Sequence, residues 1–147
     1  MADPGELAAV RVEREETPVM FLRTEDEPAA MHKGWKRLEG LVGLRGRRFF
    51  GTFDPATGEY RVCVQIRDDD DPSAFGLETM TIPGGAYLRA RLRGEPPEVY
   101  ERIAPTFQAL SRTAAPDETR PSIEFYRRLD EIDLFLPVGN DAVRSSR

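Results

Sequence analysis

The chain states one pattern twice. From about residue 9 to residue 66 its segments read strand, strand, helix, strand, strand, ending in FFGTF and YRVCVQI; from about 77 to 138 the same order returns, ending in IEFYRR and IDLFLPV. Two amphipathic helices and about eight strands in that order point to an α+β domain, with helices covering one face of a mostly antiparallel sheet. Matching the closing strands of the two copies sets Gly51 against Glu124, Phe53 against Tyr126, Arg61 against Asp133 and Cys63 against Phe135. One half carries acid where the other has none.

Val10 and Val12 alternate with charged residues, as do Leu88, Ala90 and Leu92 with Arg89 and Arg91, which is the period of two that marks a half-buried strand. Turns at Thr17-Pro18 and at Pro83-Gly84-Gly85 separate each of these strands from its partner. Met31, Trp35, Leu38 and Val42 recur at helical spacing over 27–42, and Val99, Ile103, Phe107 and Leu110 over 98–110. Pro105 falls inside the second helix without the amide hydrogen that would bond Glu101, which predicts a kink or a shortened helix.

Residues 1–7 and 139–147 show no periodicity and read as loose ends. The run Asp68 to Asp71 repels itself and ends in Pro72, so 67–76 reads as a solvated acidic linker between the repeats. Metal binding by that run is set aside, because adjacent carboxylates in a loop do not converge on one ion without other ligands.

With 147 residues, 39% hydrophobic and 32% charged, the chain is long enough for one compact domain with a real core, spanning 1–147. No run approaches the roughly 18 apolar residues that span a bilayer, and the N-terminus lacks the charged and apolar regions of a secretion signal. A single cysteine, Cys63, within a strand pattern leaves no disulfide framework or multi-thiol metal site inside the chain. The expectation is a cytoplasmic protein with no metal, no cofactor and no membrane partner. A net charge of −5 argues against a dedicated nucleic-acid surface, since phosphate binding draws on clustered Lys and Arg, and favours cationic or neutral partners.

Alternation divides the closing strands into two faces. Phe50, Thr52, Val62, Val64, Ile123, Phe125, Ile132, Leu134 and Leu136 share the parity expected of the helix-covered core. The other parity carries Phe49, Gly51, Phe53, Arg61, Cys63, Gln65, Glu124, Tyr126, Asp133 and Phe135. Aromatic rings beside carboxylates suit a planar, cationic ligand, and a partly desolvated carboxylate favours a ligand that neutralises it. The alternative is plain surface pairing, with Glu124 bonded to Arg120 or Arg127 and Asp133 to Arg61.

At FFGTF, YRVCVQI, PGGAYLRARLRG, PSIEFY and IDLFLPV, over roughly 9–138, the chain resembles the GyrI-like effector-binding family, found also as the ligand-sensing domain of BmrR-type and some AraC-type regulators. The resemblance implies two βαββ modules related by a pseudo-twofold axis, helices on one face and a ligand cleft on the other. It also implies that Glu124 is the acid at the base of that cleft, with Tyr126 beside it. The final strand carries Asp133 where the family usually has Glu, and the loop from Tyr126 to Ile132 is short. Asp133, Phe135, Phe53, Phe49, Tyr87 and Trp35 complete the candidate ligand-binding set, although Trp35 on a helix's apolar face also reads as core.

The function expected is that of a stand-alone binding protein for aromatic, cationic or lipophilic small molecules, in drug sensing or sequestration. Two alternatives stay open. One is a hydrolase that detoxifies reactive cyclopropane-bearing natural products in the same cleft, with Glu124, Tyr126 and Asp133 activating water and stabilising the oxyanion. The other is a protein-interaction module, such as a gyrase-binding inhibitor. His32, the single histidine, reads as an exposed first-turn residue of the first helix rather than a haem ligand or a catalytic base.

Overall fold

The computed structural model describes residues 8–139, so the expected loose ends lie outside the described residues except for Gly139, which is exposed and without regular structure. In order, the chain forms β1 (Val10–Arg14), β2 (Thr17–Thr24), α1 (Pro28–Val42), β3 (Phe49–Asp54), β4 (Glu59–Gln65), a single-turn α2 (Pro72–Phe75), β5 (Glu78–Ile82) and β6 (Gly85–Arg93). A 3-10 segment (Glu98–Arg102) then leads into α3 (Ile103–Thr113), β7 (Ser122–Arg128) and β8 (Glu131–Pro137). No described helix is long and apolar enough to cross a membrane.

Local chemistry accounts for the helix ends. Pro28 opens α1, where a missing amide hydrogen does no harm, and the Glu27 carboxylate accepts hydrogen bonds from the Ala29 and Ala30 amides at 2.9 and 3.2 Å. Pro105 shortens the second helix as expected. Regular α-helix begins at Ile103, which leaves the proline in the first turn, and the residues before it adopt the tighter 3-10 form.

All strand pairs are antiparallel, in one eight-stranded sheet of order β1-β6-β8-β7-β3-β4-β2-β5. The order is unchanged when β1 to β4 are exchanged with β5 to β8 and the sheet is read from its other edge. The sheet must also curl. β1 at one edge joins β2, seventh in the order, through Glu15 and Glu16 alone, and β5 at the other edge joins β6 through Pro83 and Gly84. A flat sheet would separate β1 from β2 by six strand spacings of about 4.8 Å, close to 30 Å, whereas three residues reach only about 10 Å. The two connections cross at Gly84, where a Cβ would lie 2.8 Å from the Arg14 carbonyl oxygen and 2.9 Å from the Glu16 nitrogen.

The turn expected at Thr17-Pro18 is therefore two residues earlier, at Glu15-Glu16. Pro18 lies inside β2 opposite Thr81, before the β2–β4 pairing that starts at Val19, so its missing amide hydrogen interrupts no bond to β4.

Both faces of the sheet are covered, one by helices and the other by the curl. Under α1 and α3 lie Met20, Tyr60, Val62, Val64, Leu88, Ala90, Ile132 and Leu134. Inside the curl, Val19, Phe21, Phe50, Cys63, Ile82, Tyr87, Ile123 and Phe135 form a second cluster. The parity expected from the sequence is correct within each strand and mismatched between hairpin partners. Phe49 pairs with Val64 and Gly51 with Val62, so the β3 residues assigned to the free face share the helix face with the β4 residues assigned to the core. β7 against β8 repeats this mismatch, because Glu124 pairs with Leu134. With apolar residues on both faces of each strand, alternation carries no phase, and the register across each hairpin decides it.

The acidic linker is also more ordered than a solvated connector. Asp70 accepts two hydrogen bonds from the Arg47 guanidinium at 2.6 and 2.8 Å and one from the Arg67 amide at 2.7 Å, with both side chains of the Arg47–Asp70 pair almost wholly buried. Arg47 holds the Asp70 carboxyl well below its usual range, at about 2.

Candidate functional site

Between α1, α3 and the central strands lies a cavity of about 1110 Å³. It sits on the helix-bearing face, not on the opposite face where the cleft was expected, because the opposite face is closed by the curl. α1 contributes Met31 and Trp35 to its walls, β3 contributes Phe49 and Phe53, the 3-10 segment and α3 contribute Tyr100 and Phe107, and β4 and β7 contribute Tyr60, Glu124 and Tyr126.

Glu124 projects from β7 near the sheet centre, in register with Gly51 on β3 and Leu134 on β8. Its Oε1 accepts hydrogen bonds from the Tyr60 and Tyr126 hydroxyls, each at 2.6 Å. Its Oε2 has no hydrogen-bond partner among the described residues, and no described Lys, Arg or His pairs with the carboxylate. The pairing with Arg120 or Arg127 is not formed; Arg120 instead bonds Asp117 and the backbone at Gly84, Ala86 and Val138.

Gly51 makes this geometry possible. An added Cβ would collide with the Tyr60 hydroxyl and come within 2.7 Å of Glu124 Oε1, so only a residue without a side chain lets the tyrosine reach across β3. Burial raises the Glu124 pKa, the two tyrosine hydrogen bonds oppose that rise, and the nearby charge of Asp26 adds to it. Both phenols are pushed well above their usual pKa, first by burial and then by the Glu124 charge, so they remain protonated donors.

Aromatic rings extend the site outward. Trp35 meets Tyr126 edge to face at 5.1 Å and Phe49 at 6.2 Å, and Tyr100 approaches Tyr126 at 6.4 Å. Trp35 is thus both packed against the core and part of the cavity wall. His32 is exposed on α1 and contributes to the rim.

Of the sequence-predicted set, the structure brings together Glu124, Tyr126, Phe49, Phe53 and Trp35. It separates Asp133, Phe135 and Tyr87, all of which point into the curl. Asp133 is 4% exposed and accepts two hydrogen bonds from Arg91 at 2.6 and 3.1 Å, so its partner is Arg91 rather than Arg61 and it does not line the cavity. Phe135 lies under the Arg14 guanidinium at 4.5 Å. Tyr87 is fully buried and donates to the Pro83 carbonyl at 2.5 Å. A water-activating pair of Glu124 and Asp133 is therefore not assembled.

Tyr60 is the principal residue that sequence reasoning missed. Its parity with Val62 and Val64 puts it on the helix face, but only the register of β4 on β3 shows that Glu124 shares that face.

No protein-family model matches the chain, and no curated protein does. Solved structures do. An integron cassette protein from the mobile metagenome of Vibrio cholerae is 13% identical, with 89% of this chain and 95% of that one covered and a TM-score of 0.69. SAV2435, solved bound to tetraphenylphosphonium, is 11% identical over 91% of this chain and 95% of its own, with a TM-score of 0.65. The C-terminal domain of EcmrR is 11% identical over 90% of this chain and 98% of its own, with a TM-score of 0.62. At these identities the likeness is one of fold.

Proposed function

We propose that this chain is a small-molecule binding domain whose cavity takes an aromatic or lipophilic organic cation, with Glu124 as the counter-charge. One observation carries the reading. A carboxylate stands at the cavity floor with one oxygen held by two phenols and the other free, no cation paired to it among the described residues, and aromatic rings around it. Removing such a carboxylate from water is unfavourable, and an entering cation relieves that cost while the ring faces contact its charge. The fold supports the same reading, since SAV2435 was solved with tetraphenylphosphonium bound and EcmrR contributes a C-terminal domain of this shape.

Trp35 is the only tryptophan and lies in the cavity wall, so its fluorescence reports on the site directly. Titration with tetraphenylphosphonium or rhodamine 6G should quench it saturably and raise the melting temperature. If a folded chain responds to neither cation, the proposal fails.

A further inference from the structure

A second cavity, of about 320 Å³, opens where the β1–β2 connection passes over the face of the sheet opposite Glu124. It is bounded by Arg14, Arg48, Gln65 and the stacked rings of Phe50 and Phe125, whose centroids lie 4.8 Å apart. Glu15 and Glu16 also border it, and both are exposed.

Arg14, like Arg89, is a cation whose buried Nε the fold leaves without an acceptor. Its guanidinium lies over the rings of Phe135 at 4.5 Å and Phe50 at 5.6 Å, and its Nε is buried without an acceptor. Its side chain donates one hydrogen bond among the described residues, from Nη2 to the Thr17 hydroxyl at 3.3 Å. Arg23, Arg47, Arg91 and Arg120 each hold a carboxylate, whereas Arg14 forms no ion pair among the described residues. Burial lowers its pKa from the usual arginine value, against the opposing charges of Tyr87 and Asp133. A guanidinium sandwiched on aromatic rings beside an open cavity lacks one thing, an anion in the plane of its fork. Arg48 at the mouth is likewise unpaired among the described residues, and the Gln65 amide adds donors.

We propose that this cavity is a second ligand site, independent of Glu124, for a small organic carboxylate. The carboxylate bonds the Nη nitrogens of Arg14, Arg48 and Gln65 supply outer donors, and the Phe50–Phe125 pair contacts a flat apolar body. The volume is at the lower end of small-ligand pockets and exceeds what a bare ion fills.

The test is a titration of the full chain with sodium benzoate at fixed ionic strength, followed through the arginine Nε–H signals in 15N-correlated NMR spectra. The Arg14 signal should shift saturably, with a midpoint at least tenfold below any response to chloride. Arg48→Gln, at an exposed position, should raise that midpoint about threefold to tenfold, Arg14→Lys should raise it more than tenfold, and Glu124→Gln should leave it unchanged. An unmoved Arg14 signal, an equal response to chloride, or undiminished binding in Arg48→Gln overturns the proposal. Should Arg14→Lys fail to fold, the wild-type and Arg48→Gln titrations decide it.

Discussion

Gly51 and Glu124 stand directly opposite each other across β3 and β7, and they are also the positions matched when the two halves of the chain are aligned. The side chain missing from one half leaves the space in which the carboxylate of the other meets Tyr60. The duplicated architecture thus becomes unsymmetrical at the point where its halves pair.

Gly51→Ala tests that relationship. A methyl group in a filled site forces displacement of the Tyr60 hydroxyl or of Glu124 Oε1, at a cost of about 1–3 kcal/mol. Urea unfolding should show that loss with the far-ultraviolet circular dichroism unchanged, and tetraphenylphosphonium binding should weaken. A variant with wild-type stability and affinity would show that the contact is not needed.

Glu124→Gln should move function and stability in opposite directions. Loss of the charge weakens cation binding about 10- to 100-fold, as expected for a charged contact of roughly 1.5–3 kcal/mol. Removing a half-buried charge that has no cation partner among the described residues should leave stability at pH 7 equal or higher, as measured by thermal melting.

The same carboxylate predicts a pH dependence. Its folded pKa is raised above the usual 4.5, so its contribution to stability is fully present below that value and is lost as pH rises through the folded pKa. Cation binding runs the other way, strengthening as pH rises through the same window, with proton release on binding. Titrations in buffers of different ionisation enthalpy should detect the released proton in the wild type and none in Glu124→Gln.

Asp133→Asn separates the two faces of the sheet. Breaking the two-bonded pair with Arg91, which keeps Glu131 at 3.2 Å, should destabilise the fold by about 1–3 kcal/mol, while tetraphenylphosphonium affinity stays within about twofold. A large loss of affinity at wild-type stability would return Asp133 to the binding site.

Within the acidic run, Asp70→Asn should cost about 3 kcal/mol, whereas Asp68→Asn and Asp69→Asn should stay within about 0.5 kcal/mol. Asp70 is paired inside the fold, while Asp69 reaches only an exposed Arg67 at 3.7 Å. Because the Asp70 pKa is lowered to about 2 from 3.8, its contribution is present above the usual value and is lost as pH falls through about 2. Acid unfolding of the wild type and of Asp70→Asn should converge in that range.

Features written in neighbouring residues were legible beforehand. The first helix was expected over 27–42 and forms at Pro28–Val42, since its proline, its cap and its apolar stripe all lie within it. Glu124 and Tyr126 are likewise near neighbours in sequence, and both line the cavity with Phe49, Phe53 and Trp35. Tyr60 escapes a local reading because its link to Glu124 crosses 64 positions of sequence. The run around Asp70 reads as solvated by itself because nothing local to it announces Arg47, 23 positions earlier.

By itself the sequence determined the order of strands and helices and the chemistry available to a site, because periodicity, caps and residue types are local properties. It could not determine which carboxylate faces the cavity. Alternation has a period of two and no absolute phase, so a strand apolar on both sides fits either orientation. Only the hairpin registers, together with the curl forced by two short connections, put Glu124 among the aromatic rings and turned Asp133 to Arg91.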